Sequence, residues 1–143
     1  MADAVQLVRD FYAAVEQAAH GADLERFLAP DARTREHPNA LVSEGRTRDR
    51  ASMLAASAAG AGLLSRQDYD MHWVRQIDDT VVARLTWRGV VAQDAGPLRR
   101  GQELTAHIAQ FVRVRDGRIV EIETYDCYEP FDRAPPPAEP PAR

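Results

Sequence analysis

Residues 34–45 read TREHPNALVSEG and set Glu36 and His37 side by side, immediately before Pro38. A carboxylate and an imidazole are the pair of groups best suited to moving a proton near neutral pH. A third ionisable group, Asp126, falls late in the chain, in RIVEIETYDCYE. A strand alternates its side chains, so Glu36 and His37 cannot both face the same cavity. His37 shares its face with Arg33 and Arg35, which suit a cavity wall only if the occupant is anionic; otherwise Glu36 is the inward residue. Pro38 fixes the end of the strand in either case.

Composition narrows the chemistry further. All 18 basic residues are arginine, with no lysine in the chain. Schiff-base catalysis, covalent pyridoxal phosphate attachment and a lysine-bearing phosphate loop are therefore excluded. Cys-x-x-Cys, His-Glu-x-x-His, a dense carboxylate loop and a Gly-x-Ser-x-Gly elbow are all missing, so neither a dedicated metal site nor a serine-hydrolase nucleophile is expected. Metal-free proton transfer, or binding alone, is what remains. Net charge is −4, which offers nucleic acid no electrostatic footing. No apolar run is long enough to span a bilayer, and the N-terminus does not read as a signal peptide. The single cysteine, Cys127, cannot form an internal disulfide and fits a reducing cytoplasm.

These groups must be positioned by one domain, expected over residues 1–131, with the proline-rich RAPPPAEPPAR leaving 132–143 as a disordered tail. DAVQLVRDFYAAVEQAAHG reads as a first helix, with Asp3 and Gln6 in a capping-box arrangement and Gly21 ending it. Val5, Val8, Tyr12, Val15 and Ala19 form its apolar stripe. DLERFLAP reads as a short second helix with Asp23 as N-cap and Pro30 just beyond it, DARTREHP as a short strand, and RDRASMLAASAAGAGLL as a third helix. From residue 67 the period changes to two, over QDYDMHWVRQI, TVVARLTWRGVV, ELTAHIAQFVRV and RIVEIETYDCYE. The expected class is α+β, helices packed on one face of a curved antiparallel sheet.

The last hairpin decides where Asp126 points. A two-residue Asp116-Gly117 turn would pair Val112 with Glu121, mixing core with charge. A three-residue loop would pair Val112 with Val120 and Gln110 with Ile122, matching apolar to apolar. The second is the expectation. It sets Asp126 on the inward face across from Ala106, two residues from Thr124, where poor solvation would raise its proton affinity. His107 then points outward, towards a subunit contact; the rejected register would make it Asp126's partner.

The order of elements, with EHPN after the second helix, WRG in a long strand, RDGRI at the turn and YDCYEPF at the end, resembles the nuclear transport factor 2-like superfamily, in its SnoaL-like and ketosteroid-isomerase-like branch. The resemblance covers roughly residues 4–131 and implies a cone: a curved sheet wrapped around three N-terminal helices, an apolar pocket at one end, and a homodimer through the outer sheet face. It puts His37, with Glu36 beside it, at the isomerase base position, Phe11 (next to Tyr12) at the oxyanion tyrosine and Gln110 at the oxyanion aspartate. Phe11 cannot donate and Gln110 is an amide, so the isomerase set is broken. The Arg-x-Asp start of the epoxide-hydrolase triad is absent as well, since Thr86 stands two residues after Arg84. SnoaL-like cyclases use an aspartate on the final strand, and Asp126 lies in that region, offset by one residue.

The resemblance implies a cofactor-free acid/base enzyme (a cyclase, isomerase or dehydratase) acting on an apolar or polyketide-like small molecule. Asp126, His37 and Glu36 are its candidate catalytic groups. Tyr12, Phe11, Trp87, Gln110, Ile108 and Tyr128 are its candidate binding groups, with Gln110 and Tyr12 holding a developing oxyanion. A ligand-binding or dimeric scaffold without turnover is the alternative.

Overall fold

The computed structural model describes residues 3–131, so the proposed tail lies outside the described residues. Asp3 opens the first helix, α1 (Ala4–Glu16), its carboxylate accepting from the Val5 amide at 3.0 Å. The reciprocal half of a capping box is missing, because the Gln6 side chain donates to Asp10 instead. The helix also stops short of Gly21. Ala18 takes the left-handed conformation, and Gly21 caps the one-turn α2 (Ala22–Glu25) where Asp23 was expected to do so. On α1 the buried residues are Ala4, Val8, Phe11 and Tyr12, so the stripe is centred on Phe11 and Tyr12 rather than Val15 and Ala19.

Strand β1 (Leu28–Glu36) begins earlier than DARTREHP and includes Pro30. It pairs in parallel with the last strand, and the ladder is irregular between Leu28 and Arg33. Proline has no amide proton to give, which accounts for the break there. A short strand that the periodicity did not announce, β2 (Arg46–Asp49), pairs antiparallel with β1. Asp49 ends it and at once caps α3 (Arg50–Gly60), accepting from the Ser52 amide at 2.8 Å. The third helix thus follows two strands and is not grouped with the other two at the N-terminus. The period-two segments form β3 (Leu64–Ile77), β4 (Thr80–Val91), β5 (Glu103–Arg115) and β6 (Arg118–Tyr128).

The six strands make one curled, unclosed sheet in the order β2-β1-β6-β5-β4-β3. α1 packs on β3 and β4, and α3 on β1 and β2. The inner face carries the core, including Val81, Ala83, Leu85, Trp87, Leu104, Ala106, Ile108, Val112 and Ile122. The WRG motif has a packing reason: a Cβ on Gly89 would lie 2.6 Å from the Trp87 ring, so only glycine lets the indole lie across β4.

The β5–β6 hairpin overturns the expected register. Asp116 and Gly117 both have positive φ and close a two-residue turn, with Arg115 opposite Arg118. That turn suits the right-handed twist of the strands. A bulge at Val120 then adds one residue to β6, so Val112 faces Ile122, Gln110 faces Thr124 and Ile108 faces Asp126. The apolar match is recovered by the bulge rather than by a longer loop, and Ile119 and Val120 are both buried. Asp126 remains on the inner face, but opposite Ile108, not Ala106. His107 pairs with Cys127 on the outer face, as the preferred register required of its direction.

Candidate functional site

Between α1, α3 and the inner face of the sheet lies a recess of about 310 Å³. Phe11, Leu24 and Met53 supply apolar wall, while Glu36, Arg46, Arg48, Gln110 and Thr124 supply polar groups. It is therefore not the almost wholly apolar pocket that the resemblance implied. Such a volume lies at the low end for small-molecule sites.

A directed hydrogen-bond chain runs through this wall. The Tyr12 hydroxyl donates to Gln110 Oε1. Gln110 Nε2 donates to Thr124 Oγ1 at 3.0 Å, and the Thr124 hydroxyl donates to Asp126 Oδ1 at 2.5 Å. The bulge makes this possible, since it brings Gln110 opposite Thr124. Asp126 itself is outside the recess wall and is reached through Thr124. Its pKa is raised, first by burial and then by the Glu36 charge, against the lowering effects of the Thr124 hydrogen bond and Arg46. Burial also raises the hydroxyls of Tyr12, Tyr69 and Tyr128, and the nearby Asp126 charge adds to each shift, so all three are proton donors at neutral pH.

The opening pair is split by the strand's alternation. Glu36 faces the recess, its Oε1 accepting from Arg46 Nε at 2.8 Å and its Oε2 from Asn39 Nδ2 at 2.9 Å. Asn39 also accepts from the Leu41 and Val42 amides, which folds the 37–45 loop back on itself. Gly45 completes that loop at φ +68°, where a Cβ would lie 2.6 Å from the Glu36 carbonyl oxygen. His37 turns to the outer face. It hydrogen-bonds Glu123 Oε2 at 2.8 Å and stacks on Tyr125 at 4.1 Å. The base position implied for His37 is corrected on this point, since its ring does not reach the recess.

Of the candidate binding groups, Tyr12, Phe11 and Gln110 line the recess. Ile108, Trp87 and Tyr128 do not. Ile108 is core, and Trp87 donates to Gln67 Oε1 and meets Tyr128 edge-on at 6.3 Å. Sequence reasoning missed Thr124, Tyr69, Arg46 and Arg48 as wall residues. Tyr69 packs on Tyr12 at 5.0 Å, with its amide donating to Glu16. Its inward direction follows from pairing with Trp87, which single-strand alternation could not supply. The arginines stand on β2, whose RTRD carries no apolar signal.

Comparison with known proteins agrees with this architecture. Residues 8–122 match the SnoaL-like domain. IdmH of Streptomyces antibioticus, a proposed polyketide cyclase, is similar in structure at 25% identity and a TM-score of 0.69, covering 85% of this chain and 89% of that one. A proposed SnoaL-like polyketide cyclase of Jannaschia sp. CCS1 is 16% identical with a TM-score of 0.68, over 88% and 90% of the two chains. AclR of Streptomyces galilaeus, a proposed hydroxylase, gives 16% and 0.68 over 85% and 76%. The last two likenesses speak for the fold alone. No curated protein matches the chain. The match spans most of the sequence and every element from α1 into β6, and the chain belongs to the SnoaL-like domain family.

Proposed function

We propose that the protein is a cofactor-free acid/base enzyme, of cyclase, isomerase or dehydratase type, acting on an apolar or polyketide-like molecule seated in the recess. The observation that carries this reading is the one-way hydrogen-bond chain ending on Asp126. Asp126 is the terminal proton acceptor, and Thr124 is the hydroxyl that meets the substrate. A carbon-bound proton passes to Thr124 Oγ1 as the threonine's own proton passes to Asp126 Oδ1. The substrate keeps the electron pair as an enolate, and Asp126 becomes neutral. After rearrangement the same route returns the proton to carbon or to a new alkoxide.

The enolate oxygen needs donors that are not already used. Tyr12 has given its hydroxyl to Gln110, which argues against the oxyanion role first expected of it. Tyr69 and the second Nε2 hydrogen of Gln110 are free donors on the same wall as Thr124, and burial keeps the Tyr69 proton in place. Glu36, with both oxygens engaged, serves to hold Arg46 and to raise the proton affinity of Asp126.

The test is hydrogen–deuterium exchange at the activated methylene of 2-tetralone in deuterium oxide, followed by proton NMR. Wild-type protein accelerates exchange over buffer, with a rate that rises with pH through an inflection above the ordinary aspartate value of about 3.9. Asp126→Asn and Thr124→Val lose about 100-fold or more, while Thr124→Ser retains most of the rate. Undiminished exchange in Asp126→Asn overturns the assignment. Asp126 stands behind the wall instead of in it, and this favours a second reading, a ligand-binding scaffold. That reading requires 2-tetralone to bind wild-type protein with exchange at the buffer rate. The proposal includes a single domain over residues 1–131, a cytoplasmic setting suited to the free Cys127, and a homodimer through the outer face, where Trp73, Ile77, Phe111 and Tyr125 are exposed.

A further inference from the structure

The two arginines of β2 reach the recess in different states. Arg46 and Arg48 alternate with Thr47, so both project on the face that β1 presents through Thr34 and Glu36. The Arg46 charge is matched by the Glu36 carboxylate at 2.8 Å. Arg48, opposite Thr34, is half-buried and lines the recess, yet its guanidinium makes no hydrogen bond or ion pair among the described residues. Burial and the neighbouring Arg46 press against its charge, and only Glu36 favours it. A guanidinium does not shed its proton in a protein, so the arrangement leaves five donors and one unmatched positive charge facing a cavity. The α3 N-terminus just beyond is no competitor, because Asp49 already occupies it.

We propose that Arg48 is a substrate-recognition residue and that the recess takes an aromatic or alicyclic molecule carrying one carboxylate. The guanidinium receives that group through paired N–H···O bonds, and the ring system lies against Phe11, Leu24 and Met53, with its reactive end towards Thr124. A single unmatched charge beside the Glu36 carboxylate suits a monoanion better than a phosphate dianion. The proposal rests on reading the recess as a substrate site.

Calorimetric titration with 2-naphthoate, 2-naphthamide and 2-naphthyl phosphate at neutral pH tests it. Wild-type protein binds naphthoate about tenfold or more tightly than naphthamide, the margin expected of a charge-assisted pair. Arg48→Gln brings the two within about twofold by losing naphthoate affinity alone, since a charge-assisted pair is what it removes. Retained naphthamide binding shows that this variant is folded. Arg35→Gln, on the outer face, keeps the wild-type preference. Equal affinities in wild-type protein, a preference that survives Arg48→Gln, or tighter binding of the phosphate overturns the assignment of a carboxylate to Arg48 while leaving the recess a ligand site. Binding of none of the three overturns the recess reading itself, and the proposal with it.

Discussion

Thr124 is 5% exposed, yet it is the group through which the recess meets Asp126. Each polar atom in the chain behind it has one direction of donation left. An ionised Asp126 must accept, so Thr124 donates to it and accepts from Gln110, whose carbonyl oxygen is then turned to Tyr12. This order depends on a carboxylate that the fold makes costly to ionise. The folded pKa of Asp126 lies above its unfolded value, so folding binds its proton more tightly. The charged form therefore weakens the fold at pH values above the folded pKa, and the penalty disappears below the unfolded value near 3.9. Asp126→Asn removes the charge and keeps an acceptor for Thr124. It should melt a few degrees above wild type at pH 8, with the gap closing as pH falls through the carboxylate range. Scanning calorimetry across that range checks this, and a variant less stable than wild type at pH 8 contradicts the burial argument. Loss of activity with gain of stability at one residue is the signature of a functional group held at a cost.

At the scale of elements, the bulge at Val120 determines which groups can meet. Without it the Asp116-Gly117 turn would pair Val112 with Glu121 and Gln110 with Glu123. Inserting one alanine after Val120 should turn Thr124 and Asp126 outward and bring glutamates into the core, abolishing cooperative unfolding in a thermal melt, whereas deleting Val120 removes only the extra residue and keeps Val112 opposite Ile122. Val120→Ala keeps the bulge and should cost only about 1–2 kcal/mol for the methyl groups removed. A cooperative melt after the insertion would mean that register is set elsewhere. Legibility followed the same physics. The four long strands were readable because alternation is strong over eleven or more residues, and β4 spans TVVARLTWRGVV as expected. The bulge was not, because Ile119-Val120 offers two apolar side chains to one position and a single chain does not say which is extra. β2 was missed because an edge strand of alternating charge looks like loop or helix start. With it went Arg46 and Arg48. Asp126 could be placed because either a three-residue loop or a bulged two-residue turn leaves it on the inner face. Glu36 and His37 could be separated but not oriented, since orientation came from the partner strands, with His37 meeting Glu123 and Tyr125 of β6.

The whole molecule separates its two faces by chemistry. The inner face holds the core and the recess, and the outer face exposes Trp73, Ile77, Phe111 and Tyr125. Tyr125 is already stacked on His37 and meets Phe111 edge-on at 6.0 Å, so it presents a fixed aromatic surface. Beside it a shallow groove of about 500 Å³ runs past His107 and Cys127. The proposed homodimer would use this patch, because under two-fold symmetry the rings of each copy meet the groove of the other. Association there leaves the recess open, since α1, α3 and the recess lie on the opposite side of the sheet. Sedimentation velocity at micromolar concentration should report a dimer for wild-type protein. Phe111→Asp combined with Tyr125→Asp should report a monomer that still binds 2-naphthoate. A wild-type monomer removes the dimer from the proposal, and a variant that loses both assembly and binding would mean that the two faces are not independent.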